Sequence, residues 1–135
     1  MAYSNKDKVG SVTVHQAIPA AAYTTAQATA AGIDCGVFRS ATVVVNYGVI
    51  TDGTITPSLT SSDTLSGSYT AETNTTGTIT AGTASTDVVS VAFGIDTSKA
   101  KRFIKVLMNE SVASAGYIVG ATLVGDLKRV NSSGD

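Results

Sequence analysis

Few residues in this chain are of a type that does chemistry, and their spacing is the first thing to weigh. His15 is the only histidine and Cys35 the only cysteine, so a thiolate activated by an imidazole would have to be built from this one pair. Nothing in their spacing builds it, and no G-x-S-x-G turn exists to present a serine instead. One Cys and one His fall short of a structural zinc set. The acidic residues are scattered, with no D-x-D-x-D-G loop for calcium. Glu72 and Glu110 are the only glutamates, the pair a two-carboxylate glycosidase would need across a cleft. One lies in a polar loop region, however, and the other at a strand end. Both glycine-rich phosphate motifs are absent. The sequence therefore leads us to expect no catalytic residue, no metal and no cofactor.

What remains is a charge cluster. Lys99, Lys101, Arg102 and Lys105 are four of the nine basic residues. Such a group serves as a solvated turn with edge-strand lysines that oppose aggregation, or as a contact for an acidic partner. Phe103 and Leu107 lie on the row opposite Ile104 and Val106. If that row faces out, it forms an apolar strip rimmed by positive charge, as protein interfaces do; if it is covered, both residues are core. Lys99, Lys101, Arg102, Lys105 and Leu107 are thus the candidate partner-binding residues, joined by Tyr3, Lys6 and Lys8 of the N-terminal segment. A second candidate class is sugar binding. The chain has no Trp, five Tyr and three Phe, which leaves Tyr23, Tyr69 and Tyr117 as the platforms on which a sugar could stack.

These residues must be positioned by strands. The chain of 135 residues is 43% hydrophobic but only 14% charged, and its polar part is mostly Thr, Ser and Gly. Such residues suit half-buried pleats and the turns between them, whereas Leu, Glu, Lys and Arg, which favour long helices, are scarce. A net charge of −1 gives no field that would gather nucleic acid or a membrane surface. A lone cysteine suits a reducing compartment, and the opening M-A-Y-S-N-K-D-K has no apolar core of a secretory signal. Synthesis in the cytoplasm is the expectation.

The stretch around which the rest is organised runs from Ser40 to Thr64. Val43, Val45, Tyr47 and Val49 alternate on one strand, and Ile55, Pro57 and Leu59 on the next. A three-residue Thr51-Asp52-Gly53 loop with Gly53 left-handed would set Val49 opposite Ile55, Tyr47 opposite Pro57 and Val45 opposite Leu59. That hairpin gathers both apolar rows on one face. Upstream, Val9 to Ile18 reads as a strand stopped by Pro19. Residues 20–31 are Ala-rich and fit a short helix or an extended segment, and Ile33 to Phe38 is a short strand. Downstream, short strands are expected near 67–72 and 77–81. Longer ones follow at Val89 to Ile95, Arg102 to Asn109 and Gly116 to Leu127, the last apolar on both rows and therefore central. The expectation is all-β: an antiparallel β-sandwich of jelly-roll type with about eight strands. Residues 1–9 read as a flexible arm, 10–129 as the single domain and 130–135 as a polar tail.

Three segments, in order, carry a resemblance: S-A-T-V-V-V-N-Y-G-V-I-T-D-G-T-I-T-P-S-L-T-S-S-D (40–63), K-R-F-I-K-V-L-M-N (101–109) and G-Y-I-V-G-A-T-L-V-G-D-L-K-R (116–129). Together they resemble small proteins encoded in the structural gene blocks of tailed bacteriophages, often close to the major capsid gene. The resemblance implies a virion structural protein with no catalytic residues. Its partner would be the major capsid protein and its place the outer capsid surface, as a decoration (cement) protein in a homo-oligomer, a trimer being favoured. A neck, tail or fibre position in the same virion is the alternative.

Overall fold

The computed structural model describes residues 11–84, 89–111 and 116–127. Among these, eleven strand elements appear. Six are long: β1 (Val12–Tyr23), β4 (Phe38–Ile50), β5 (Thr54–Ser62), β9 (Val89–Ile95), β10 (Phe103–Ser111) and β11 (Tyr117–Leu127). Five are two-residue pairings: β2 (Gln27–Ala28), β3 (Ile33–Asp34), β6 (Thr70–Ala71), β7 (Thr75–Thr76) and β8 (Gly82–Thr83). All pairings are antiparallel. They form two sheets, one ordered β1-β11-β4-β9-β7 and the other β2-β10-β5-β6, with β3 added on β10 and β8 on β5. The expected all-β sandwich is what the chain builds. The expected arm (1–9, with Tyr3, Lys6 and Lys8) and tail (130–135) lie outside the described residues.

The period-2 pattern chooses the inward faces. Val43, Val45 and Tyr47 of β4, Ile55 and Leu59 of β5, Ile104, Val106 and Met108 of β10, and Val119, Ala121 and Leu123 of β11 are all 4% exposed or less. Fully burying each large aliphatic contributes about 1.5–3 kcal/mol, so these rows dominate the hydrophobic stabilisation. β11 lies between β1 and β4, and its rows are uncharged apart from Asp126 near its end.

The expected hairpin does not form. β4 pairs with β11 and β9, while β5 pairs with β10, β6 and β8, so the Thr51–Gly53 turn carries the chain from one sheet to the other. The rows Val43/Val45/Tyr47 and Ile55/Pro57/Leu59 do meet, but across the sandwich interior. Gly53 is left-handed as expected, with φ of 76°. Gly53→Ala should therefore cost about 1 kcal/mol, read as a drop of a few degrees in Tm with no change in far-ultraviolet circular dichroism.

Val49 is not core. It is 54% exposed while Ile50 is 2% exposed, because the pairing of β4 with β11 slips between Tyr47 and Ile50. The extra residue at Gly48–Val49 is a bulge, and a bulge reverses side-chain parity. Pro19 likewise does not end its strand: β1 runs on to Tyr23, with register shifts between Gln16 and Ile18 and between Ile18 and Ala21. An edge strand with an irregularity is where a residue lacking N–H is tolerated. Residues 20–31 are extended, with Gln27–Ala28 paired to β10. Beside them the Thr29 hydroxyl accepts the Val106 N–H at 3.0 Å.

Candidate partner-binding surfaces

The basic cluster spans the turn after β9 and the start of β10. Asp96 forms that turn: its carboxylate accepts the Ser98 hydroxyl at 2.6 Å and the Ser98 N–H at 3.2 Å, which holds its carboxyl below the usual range. Lys99 stands 4.0 Å from the Asp96 carboxylate, with 70% of its side chain exposed, and Lys101 is exposed. Arg102 is engaged locally. It donates to Asp34 through Nε at 3.0 Å and Nη2 at 2.8 Å, a bidentate fork that, with the Gly36 N–H, holds the Asp34 carboxyl low against its partial burial. The same guanidinium lies 5.0 Å from the Phe103 ring centroid. Lys105 Nζ lies 4.5 Å from the Tyr69 centroid.

Phe103, Lys105 and Leu107 are all half-buried on the outer row of β10, so the row faces out and is partly covered. Tyr69 provides part of that cover, its hydroxyl donating to the Leu65 carbonyl at 2.7 Å. The structure thus brings Phe103 and Lys105 together with Tyr69 and Arg102. It spends Arg102 on Asp34 and Lys105 on an aromatic face, so the strip is less positive than the sequence implied. Cation–π contacts of this exposed kind are each worth about 0.5–1 kcal/mol, enough to hold Tyr69 down.

The proposed sugar platforms separate. Tyr117 is 1% exposed; its hydroxyl donates to the Thr25 carbonyl at 2.5 Å, and its ring lies 6.0 Å from that of Tyr23. A buried ring cannot stack a sugar, and Tyr23 and Tyr69 do not make a row without it. Tyr47 is core as expected, 3% exposed, with its hydroxyl donating to the Thr80 carbonyl at 2.9 Å; burial pushes that hydroxyl up to about 12.

Cys35 is buried, and desolvation, with Asp34 adding a smaller push, raises its thiol to about 12. It is therefore a neutral thiol at physiological pH and not a nucleophile. His15 packs against Phe38, ring centroids 6.2 Å apart. Among the described residues no three of His, Cys, Asp and Glu come together as a metal site, and no helix is long and apolar enough to cross a membrane.

Glu72 is the polar residue that sequence reasoning misplaced. It is 9% exposed and stands where the chain leaves β6 in one sheet for β7 in the other. Its Oε1 accepts the Ser61 hydroxyl at 2.7 Å and the Lys101 N–H at 3.2 Å. Its Oε2 accepts the Asn74 side-chain amide at 2.6 Å and the Asn74 N–H at 3.1 Å. Burial raises its carboxyl, but these four donors together hold it below the ordinary value. The available signal was that Glu72 is the only charged residue between Asp63 and Asp87, followed two positions later by Asn74. A lone carboxylate in a Thr/Gly stretch is suited to collecting backbone and hydroxyl donors.

A third surface was not singled out from sequence: the outer face of the β1-β11-β4-β9 sheet. Val14 is 63% and Ile118 43% exposed there. The glycines Gly48 and Gly120 make a shallow hollow of about 280 Å³, bordered by Gln16, Ala20, Asn46 and Thr122. The hollow is built in. A Cβ on Gly48 would come 2.8 Å from Ile118, and one on Gly120 would come 3.0 Å from Ala20. Comparison of this chain with protein-family models, with curated proteins and with solved structures found no match.

Proposed function

We propose that this protein is a structural component of a tailed-phage virion, a head decoration (cement) protein that binds the outer surface of the shell. The observation that carries this reading is the strand order. With the two-residue strands β3, β7 and β8 set aside, the order β1-β11-β4-β9 against β2-β10-β5-β6 supports reading the sandwich as a jelly roll, an eight-strand design in which almost every connection crosses between sheets. Capsid and lectin domains both use that design. The resemblance of residues 40–63, 101–109 and 116–129 to phage structural proteins favours the capsid side, and the burial of Tyr117 removes a platform from the lectin side. Buried polar groups such as Glu72, Ser61 and Thr29 are spent on holding strands together, so we propose no catalytic role.

The mechanism is mechanical. Identical copies, linked as an oligomer, each make a small contact with the major capsid protein. Once one contact is made, the others form at a high effective concentration, and overall grip exceeds a single affinity by about 10²–10⁴. The sandwich contributes stiffness, so little ordering is lost on attachment.

Purified protein added to mature, expanded shells that lack it should cosediment with them and raise their Tm by several degrees. Failure to bind such shells would overturn the decoration reading. Binding to necks, tails or fibres under the same conditions would instead place the protein elsewhere in the virion.

A further inference from the structure

We propose that the outer face of the β1-β11-β4-β9 sheet is the surface on which a second copy of this chain packs, related by a two-fold axis near Thr122. Three observations carry this. First, among the described residues the face is free of charge over most of its extent. Val14, Val44, Ile118 and Val124 alternate there with Thr, Asn and Gln, and the charges at its end, Arg39 and Asp126, pair with each other at 2.5 Å. Depletion of charge, more than greasiness, is what marks the centre of an interface. The outer face of the other sheet carries Lys105 and the Arg102–Asp34 pair.

Second, the face holds both a bump and a recess. Val14 projects from the edge strand, 63% exposed, and the Gly48/Gly120 hollow lies beside it across β1, β11 and β4, a few residues further along. A two-fold axis midway between them, near Thr122, sends each Val14 into the partner's hollow. Such an interface must be self-complementary. A foreign charged partner would find nothing here to steer or select it.

Third, the area is of the right order. Four strands spaced about 4.8 Å apart, over about nine residues of about 3.3 Å rise, give roughly 600 Å² before side-chain relief. A standard interface uses about 800 Å² on each side. This two-fold pair takes the place of the trimer expected from the sequence, and it does not depend on where in a virion the protein acts.

Multi-angle light scattering of the full chain from about 1 to 100 μM should give a mass of two chains, twice 13.6 kDa. Val14→Lys and Ala92→Lys, both at exposed positions of this face, should weaken association at least tenfold while the far-ultraviolet circular dichroism stays at the wild-type value and Tm falls only by the share that association contributes. Thr56→Lys, exposed on the opposite sheet, should leave it unchanged. A single-chain mass throughout, a three-chain mass, or a pair that V14K and A92K leave intact overturns the proposal. Shell binding is scored separately, so failure of pairing is distinguishable from failure of the decoration reading.

Discussion

Glu72→Ala should lower stability by about 3 kcal/mol, the upper part of the range for leaving buried donors without their acceptor. For a chain of this size that is a fall of roughly 10 °C in Tm. The side chain is nearly buried, and its two oxygens satisfy Ser61 on β5, Asn74 ahead of β7 and Lys101 ahead of β10. Its own N–H donates to the Leu59 carbonyl at 2.9 Å, and the Asn74 carbonyl accepts the Asp96 N–H at 2.9 Å. Removing the carboxylate therefore releases the crossover between sheets at several points together. Glu72→Gln keeps the volume but presents an NH₂ to donors, so it should recover only part of the loss.

The pH dependence follows from the direction of the shift. The folded carboxyl is held below its ordinary value of 4.5. Its stabilisation is fully present above that value and is lost as the pH falls through the lower, folded value. Wild type should thus lose stability between pH 5 and the acid limit more steeply than E72Q. Urea melts at pH 7, 5, 4 and 3 check this; parallel slopes for the two proteins would contradict it.

Phe38→Ala should cost about 4 kcal/mol, from lost burial and the cavity left behind. Phe38 is 1% exposed and begins β4 beside a second bulge, where the pairing with β11 slips between Asp126 and Leu127. Its ring lies directly over Gly125 of the neighbouring strand, so closely that any Cβ there would strike it. The ring and the glycine are one fitted unit. Gly125→Ala should cost about 2 kcal/mol through overpacking. Combined with Phe38→Leu it should cost less than the two changes summed, because the smaller side chain makes room. Denaturant melts of the three variants give the coupling energy; strict additivity would show that ring and backbone do not share the space.

Much of the fold was legible in the alternation. Val43, Val45 and Tyr47, then Ile55, Pro57 and Leu59, then Ile104, Val106 and Met108 were readable as inward rows, and all are buried. What alternation could not decide was which rows pair side by side and which face each other across the core, since both arrangements bring the same side chains together. The Asp52-Gly53 turn looked like a hairpin because a left-handed glycine serves a sheet-to-sheet crossing equally well. Bulges hid the parity changes at Val49 and Phe38. Tyr117 read as a possible platform even though its strand was expected to be central; its ring is buried and its hydroxyl is bound to Thr25. Glu72 was obscured by its Thr/Gly surroundings, because two of its four donors, from Ser61 and Lys101, come from positions distant in sequence.

The proposal that this sandwich clothes a phage shell is tested most directly by counting its copies in intact particles. Quantitative mass spectrometry of purified virions, normalised to the major capsid protein, should find it in hundreds of copies, in fixed proportion to capsomers. A dozen copies or fewer would place it at a neck or tail, and none at all would contradict the virion reading outright.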